Sequence, residues 1–192
     1  MDEDLKRAVE FHGHMCPGLA IGYRVAKYVK DHYPRSGDEE LVAIVENNSC
    51  SVDAIQDVLG CTFGKGNLIF KDHGKHVYTV YSRDQDRALR IYFKYDLSGP
   101  MTTLRQKYFS GTATPAEREE FERSRDQNIK DILNLEEKEL LDVREIKIPP
   151  PQKARIYPSL CCQECGEAFM EVRGHTAAGK IVCQDCFERL VG

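Results

Sequence analysis

Two Cys-x-x-Cys pairs near the C-terminus, Cys162-Gln163-Glu164-Cys165 and Cys183-Gln184-Asp185-Cys186, stand seventeen residues apart (166 to 182). Each pair makes a tight turn that aims two thiolates at one point, and four sulfurs complete the tetrahedral shell of structural zinc. A segment of roughly forty residues buries too little apolar surface to fold unaided, so a metal is required to hold it. The chain opens on the acidic Met1-Asp2-Glu3-Asp4, which is no secretion signal, and a cytoplasmic location is expected. In a reducing compartment this spacing favours metal over disulfides, with a dithiol redox pair as the alternative. Cys161 reads as a spare thiol. Between the pairs, residues 168–173 and 180–182 are expected to form a hairpin, and residues 187–191 a helical turn.

Pro149-Pro150-Pro151 precedes this module as a stiff, extended spacer. The sequence therefore divides into a core domain (1–148), a Pro-containing linker (149–160) and a four-cysteine zinc finger (161–192). Charged residues make up 30% and hydrophobic ones 41%, a balance that suits a soluble globular protein. No apolar run nears the ~20 residues of a membrane span. The net charge is −4, and from Gln152 onward five basic residues face five acidic ones. A phosphate-binding face needs a basic excess, so the balance argues against nucleic acid and an anionic membrane.

Within the core, helical spacing of Leu19, Tyr23, Ala26 and Val29 predicts a helix over 17–33, with Pro17 in its first turn. Gly18 and Gly22, four apart, allow another backbone to approach its start. Residues 41–45 form a buried strand. Ser51 can cap a helix that stops at Gly60, with Cys50 and Cys61 at its two ends. The glycines that follow do not match a phosphate loop and read as a tight turn. Three β-rich runs over 68–93 separated by short turns predict an antiparallel meander. Beyond Gly99-Pro100 two helices follow, the second opened by the capping box Thr114-Pro115-Ala116-Glu117. A final strand is expected over 143–148. The fold class is α+β, a mainly antiparallel sheet packed with helices, followed by a small zinc-ribbon-like module.

The donor-rich stretch is Phe11-His12-Gly13-His14-Met15-Cys16-Pro17-Gly18. In an extended chain His12, His14 and Cys16 alternate onto one side, where they can converge. The preferred core ligands are His14, Cys16 and Cys61, with His12 and Cys50 as further candidates. Mixed thiolate and imidazole donors suit zinc, and nickel, iron and copper remain alternatives. Three ligands leave a fourth position for water or substrate, while Asp53 or Glu46 can orient a ligand or move a proton. His73 and His76 flank a turn and read as surface residues.

The blocks FHGHMCPGLAIGYR (residues 11–24) and NNSCSVDAIQDVLGCTFGKGN (residues 47–67) resemble the family of the formylmethanofuran dehydrogenase E-subunit. The C-terminal part resembles zinc fingers of the DksA/TraR type. The resemblance implies an α+β core, commonly a homodimer, with a metal or ligand site near the His and Cys motifs. It also implies association with other subunits of a molybdenum or tungsten enzyme, an oxidoreductase complex. Two readings follow. In one, the core site has a catalytic or metal-handling role; in the other, the chain is a non-catalytic accessory or regulatory protein that binds partners through its finger.

Overall fold

The Asp2 carboxylate accepts a hydrogen bond from the Asp4 N–H and opens α1 (Glu3–His12). Gly13, at φ 91°, closes that helix in the left-handed conformation open to glycine. This is a computed structural model; it describes residues 2–35, 37–96 and 102–192. The expected break at Gly99-Pro100 and the apolar Met101 after it lie outside the described residues. The chain divides into two units, one ending at Lys153 and the other spanning Ala154–Gly192.

Helix α2 (Pro17–Lys30) ends a turn earlier than its apolar spacing predicts. Every residue from Leu19 to Ala26 is buried, which accounts for its two apolar stripes. Strand β1 (Leu41–Val45) leads through a polar loop into α3 (Ser51–Leu59), and Gly60 at φ 72° ends that helix. Next come β2 (Leu68–Phe70), β3 (Val77–Ser82) and β4 (Arg87–Phe93). Helix α4 (Thr102–Phe109) precedes α5 (Pro115–Asn134), whose capping box between Thr114 and Glu117 forms on both sides. A short α6 (Glu137–Leu140) and β5 (Leu141–Ile146) complete the sheet.

The sheet order is β2-β1-β3-β4-β5. It is mainly antiparallel, but the expected β2-β3-β4 meander is not what forms. β2 pairs in parallel with β1, Ala43 opposite Leu68, while β3 pairs antiparallel on the other edge of β1. The physical reason is α3: a helical crossover returns the chain to the starting end of β1, which only parallel pairing allows. Leu41, Ala43 and Val45 of β1, with Tyr78, Val80, Leu89 and Ile91, make one sheet face that packs in a single core with α1, α2 and α3. The buried Arg24 guanidinium donates to the carbonyls of Ile132 (2.7 Å) and Leu135 (2.9 Å), satisfying the end of α5. Part of the expected linker is held by the core, since Arg83 donates to the carbonyls of Pro151 (2.8 Å) and Gln152 (3.3 Å).

In the second unit β6 (Ser159–Cys161) pairs with β7 (Ala168–Met170). β8 (His175–Ala177) pairs with β9 (Lys180–Val182), and α7 (Gln184–Val191) ends the chain. Residues 168–173 and 180–182 therefore do not pair with each other. The hairpin turns at Ala178-Gly179, whose φ values of 49° and 74° fit a tight two-residue turn. The first knuckle joins β6 to β7 and is bonded to β9 as well, where the Ile181 N–H donates to the Gln163 side-chain oxygen at 2.6 Å; the second knuckle follows β9.

Candidate functional site

The ends of three helices meet at one place. α1 finishes on His12, and the left-handed turn at Gly13 redirects the chain so that Cys16 becomes the N-cap of α2. The Cys16 Sγ accepts a hydrogen bond from the Leu19 N–H at 3.3 Å, the bond a serine would make there. Cys50 stands at the N-cap position of α3 without capping it, so its sulfur is available. α2 and α3 approach closely because α2 carries glycines on that side. A Cβ at Gly18 would lie 3.0 Å from the Cys50 Cβ, and one at Gly22 would lie 2.0 Å from the Ser51 carbonyl oxygen. The pair of small residues thus has a definite partner, the first turn of α3.

One donor atom from each of His12, Cys16 and Cys50 lies within 4.8 Å of the other two. His12 Nε2 is 3.8 Å from Cys16 Sγ, and its Nδ1 meets the Asp53 carboxylate at 2.6 Å. A proton on Nδ1 for Asp53 leaves the Nε2 lone pair directed at the sulfurs, the orientation that a carboxylate imposes on metal-binding histidines. Tetrahedral zinc places neighbouring donors about 3.5 Å apart, so a small contraction of these atoms suits such an ion. Burial, followed by the adjacent Cys16 sulfur, pushes the Cys50 thiol up; a cation between the two sulfurs would reverse that. All three residues are partly exposed, so the site opens to solvent.

The extended alternation expected for His12, His14 and Cys16 is replaced by a helix end and a turn, which changes the order of preference. His14 is exposed, its ring centroid 4.6 Å from that of His12, and it lies beside the three-donor group without joining it. Cys61 does not join it either: α3 separates it from Cys50 by about 15 Å of helix rise. It is fully buried, its Sγ–H 3.7 Å from the Leu41 carbonyl oxygen, and burial pushes the thiol up to about 12. Glu46 pairs instead with His73 at 3.1 Å and lies 3.9 Å from Arg90, and His76 reaches the Tyr78 hydroxyl at 3.4 Å.

The residues that position Cys50 escaped sequence reasoning. Buried Asn47 accepts on one oxygen from the Ser49 N–H (3.2 Å), the Ser49 hydroxyl (2.7 Å) and the Ser51 hydroxyl (3.2 Å). Its amide donates to the Lys75 carbonyl at 2.8 Å, and the Tyr78 hydroxyl donates to Ser51 Oγ at 2.6 Å. The polar run Asn47-Asn48-Ser49 is visible in the sequence as a turn, but its role depends on β3 arriving beside it.

In the second unit the donor sulfurs of Cys162, Cys165, Cys183 and Cys186 lie within 4.8 Å of one another. Cys162 accepts from the Cys183 N–H at 3.3 Å and Cys186 from Arg189 at 2.9 Å. Burial works against ionising Cys162, but the backbone N–H groups of Cys165, Cys183 and Glu164 bring it down to about 6. The Glu167 N–H works to lower Cys165, yet the neighbouring Cys162 sulfur and burial drive it up to about 12. Four sulfurs this close cannot all ionise without a cation among them. Cys161 is exposed on β6, outside this group.

Fold and sites together define an α+β protein with a group of one imidazole and two cysteine sulfurs at joined helix ends, and a four-cysteine module in its second unit. The chain belongs to the FmdE family, whose description reads "FmdE, Molybdenum formylmethanofuran dehydrogenase operon", and matches it over residues 11–142. A protein of Archaeoglobus fulgidus, named a probable S-adenosyl-L-methionine-binding protein, is 31% identical. The match takes in 88% of this chain and 49% of the relative, so the chain spans about half that relative's length. An FmdE-like protein of the tungsten formylmethanofuran dehydrogenase type, from Syntrophus aciditrophicus, shares the fold, with a TM-score of 0.62 at 23% identity. That likeness covers 98% of this chain and 92% of the other. Among the described residues no helix is long and apolar enough to cross a membrane.

Proposed function

We propose that the core binds one transition-metal ion, zinc being the best fit, through His12 Nε2, Cys16 Sγ and Cys50 Sγ. A fourth position stays open to an exchangeable ligand, and the four C-terminal cysteines hold a separate structural zinc. The observation that carries this is His12, anchored by Asp53 on one ring nitrogen while the other faces two sulfurs. A bound zinc ion supplies Lewis acidity at the open position. Asp53 fixes the imidazole tautomer, and exposed His14 stands beside His12, its ring centroid 4.6 Å away. The protein as a whole thereby acts as a metal-dependent catalytic or metal-handling component.

Ion counting on the purified full chain tests this. Two ions per chain are expected; Cys50→Ser or Cys16→Ser should leave one with the circular dichroism unchanged, and Cys61→Ser should retain both. A wild-type chain with one ion overturns the core site. Asp53→Asn is expected to keep two ions but weaken the core one by about 10–100-fold in a chelator competition. An affinity within about twofold of wild type would remove the orienting role. The Archaeoglobus relative is named for S-adenosyl-L-methionine, so that sulfonium compound is the first small molecule to titrate against the metal-loaded chain.

A second reading has a specific observation behind it. The C-terminal unit exposes the large apolar side chains of Ile156, Met170, Val172, Ile181 and Val191. Such a surface suits protein contact: a second copy, as in a homodimer, or other subunits of a molybdenum or tungsten enzyme. On this reading the chain is an accessory component, and the core ion is cargo or support. Sedimentation of the chain alone, then with the enzyme's other subunits, separates these arrangements.

A further inference from the structure

Cys16 and Cys50 have a second chemistry available to them when no metal is bound. Their sulfurs lie within 4.8 Å of each other, on the opening turns of two helices that pack backbone to backbone. Gly18 sits between them: a Cβ there would lie 3.0 Å from the Cys50 Cβ and 3.8 Å from the Cys16 Sγ. Its missing side chain leaves no atom to hold the two apart. Both cysteines are partly exposed, whereas Cys61 is fully buried, so a reagent from solvent reaches this pair and not the third core thiol. Closing an S–S bond needs the two sulfurs, which lie within 4.8 Å, to approach to about 2 Å.

We propose that Cys16 and Cys50 form a reversible disulfide whose closure abolishes the core metal site, so that the site is loaded only in its reduced state. The inference rests on the metal reading above for what it switches off, but the pairing of the two thiols stands on geometry alone. The oxidant is a low-molecular-weight disulfide of the glutathione class. The Cys16 thiolate attacks one of its sulfurs, forming a mixed disulfide and releasing one thiolate. The Cys50 thiolate then attacks the Cys16 sulfur, forms the intramolecular bond and releases the second thiolate. Two protein thiols lose two electrons and two protons, and one small disulfide becomes two small thiols. Both sulfurs are then consumed, leaving His12 alone, too few donors to retain an ion.

The test uses the full chain carrying Cys61→Ser, so that any cross-link to Cys16 is unambiguous. Samples with the core ion present, or removed by a chelator, are treated with oxidised glutathione and mapped by peptide mass. The metal-free sample should give linked Cys16 and Cys50 peptides, and the metal-loaded one should react roughly tenfold more slowly or less. The linked protein should fail to take up the core ion, and dithiothreitol should restore it. Separate glutathione adducts on Cys16 and Cys50 without a link, or a linked protein that still binds the core ion, overturn the proposal. A reduced chain that binds no core ion but still forms the link refutes the metal reading and upholds the dithiol.

Discussion

Gly22→Ala is expected to destabilise the core by about 3 kcal/mol, lowering the thermal midpoint by about 10 °C, and to release the core ion. Alanine has the better helix propensity, by about 1 kcal/mol, so in an open helix the change would stabilise. Here the added methyl would stand 2.0 Å from the Ser51 carbonyl oxygen and 2.7 Å from the Ser51 Cα. Both are backbone atoms and cannot rotate aside, so α2 and α3 must separate. Cys16 and Cys50 ride on those two helix starts and separate with them. Thermal unfolding followed by circular dichroism, with ion counting, checks both parts. A midpoint within about 2 °C of wild type, with both ions present, would show that the helices are not packed as described. Gly18→Ala should be milder, because its nearest neighbour, the Cys50 Cβ, is 3.0 Å away where Gly22 has a backbone oxygen at 2.0 Å.

Stripping the four-cysteine centre, by a strong chelator or by Cys165→Ser, is expected to unfold residues 154–192 while the first unit stays folded. Its buried core is Cys162, Ala177, Val182 and Cys186, and half of that core consists of cysteines proposed to hold the ion. Metal binding at such centres is worth about 10–16 kcal/mol, far more than the burial of two small side chains. Limited proteolysis should then trim the chain back to the neighbourhood of Lys153, and the amide resonances of the second unit should collapse into the unfolded range. Continued protection of that unit after the metal is gone would mean that something other than the sulfurs holds it.

What local chemistry dictates is readable from the residues alone. Each Cys-x-x-Cys motif brings its own two sulfurs together, because each knuckle is a short turn. Thr114 and Glu117 form their capping box, and Gly60 stops α3, because both depend on backbone groups only a few residues away. Gly18 and Gly22 announce a close approach without saying to what. The α+β class follows from runs whose periodicity is a property of each segment alone. The partner of β2 does not follow, since pairing with β1 or β3 depends on where α3 delivers the chain. Nor does the choice among five core donors. His12 ends α1 and is held by Asp53, forty-one residues away; a left-handed glycine turns the chain from it to Cys16, and Cys50 is brought to Cys16 by packing between two helices. Donor types and their proximity in the chain are written residue by residue; which atoms converge is set by the angles at which separate elements pack, and those exist only once the core has formed.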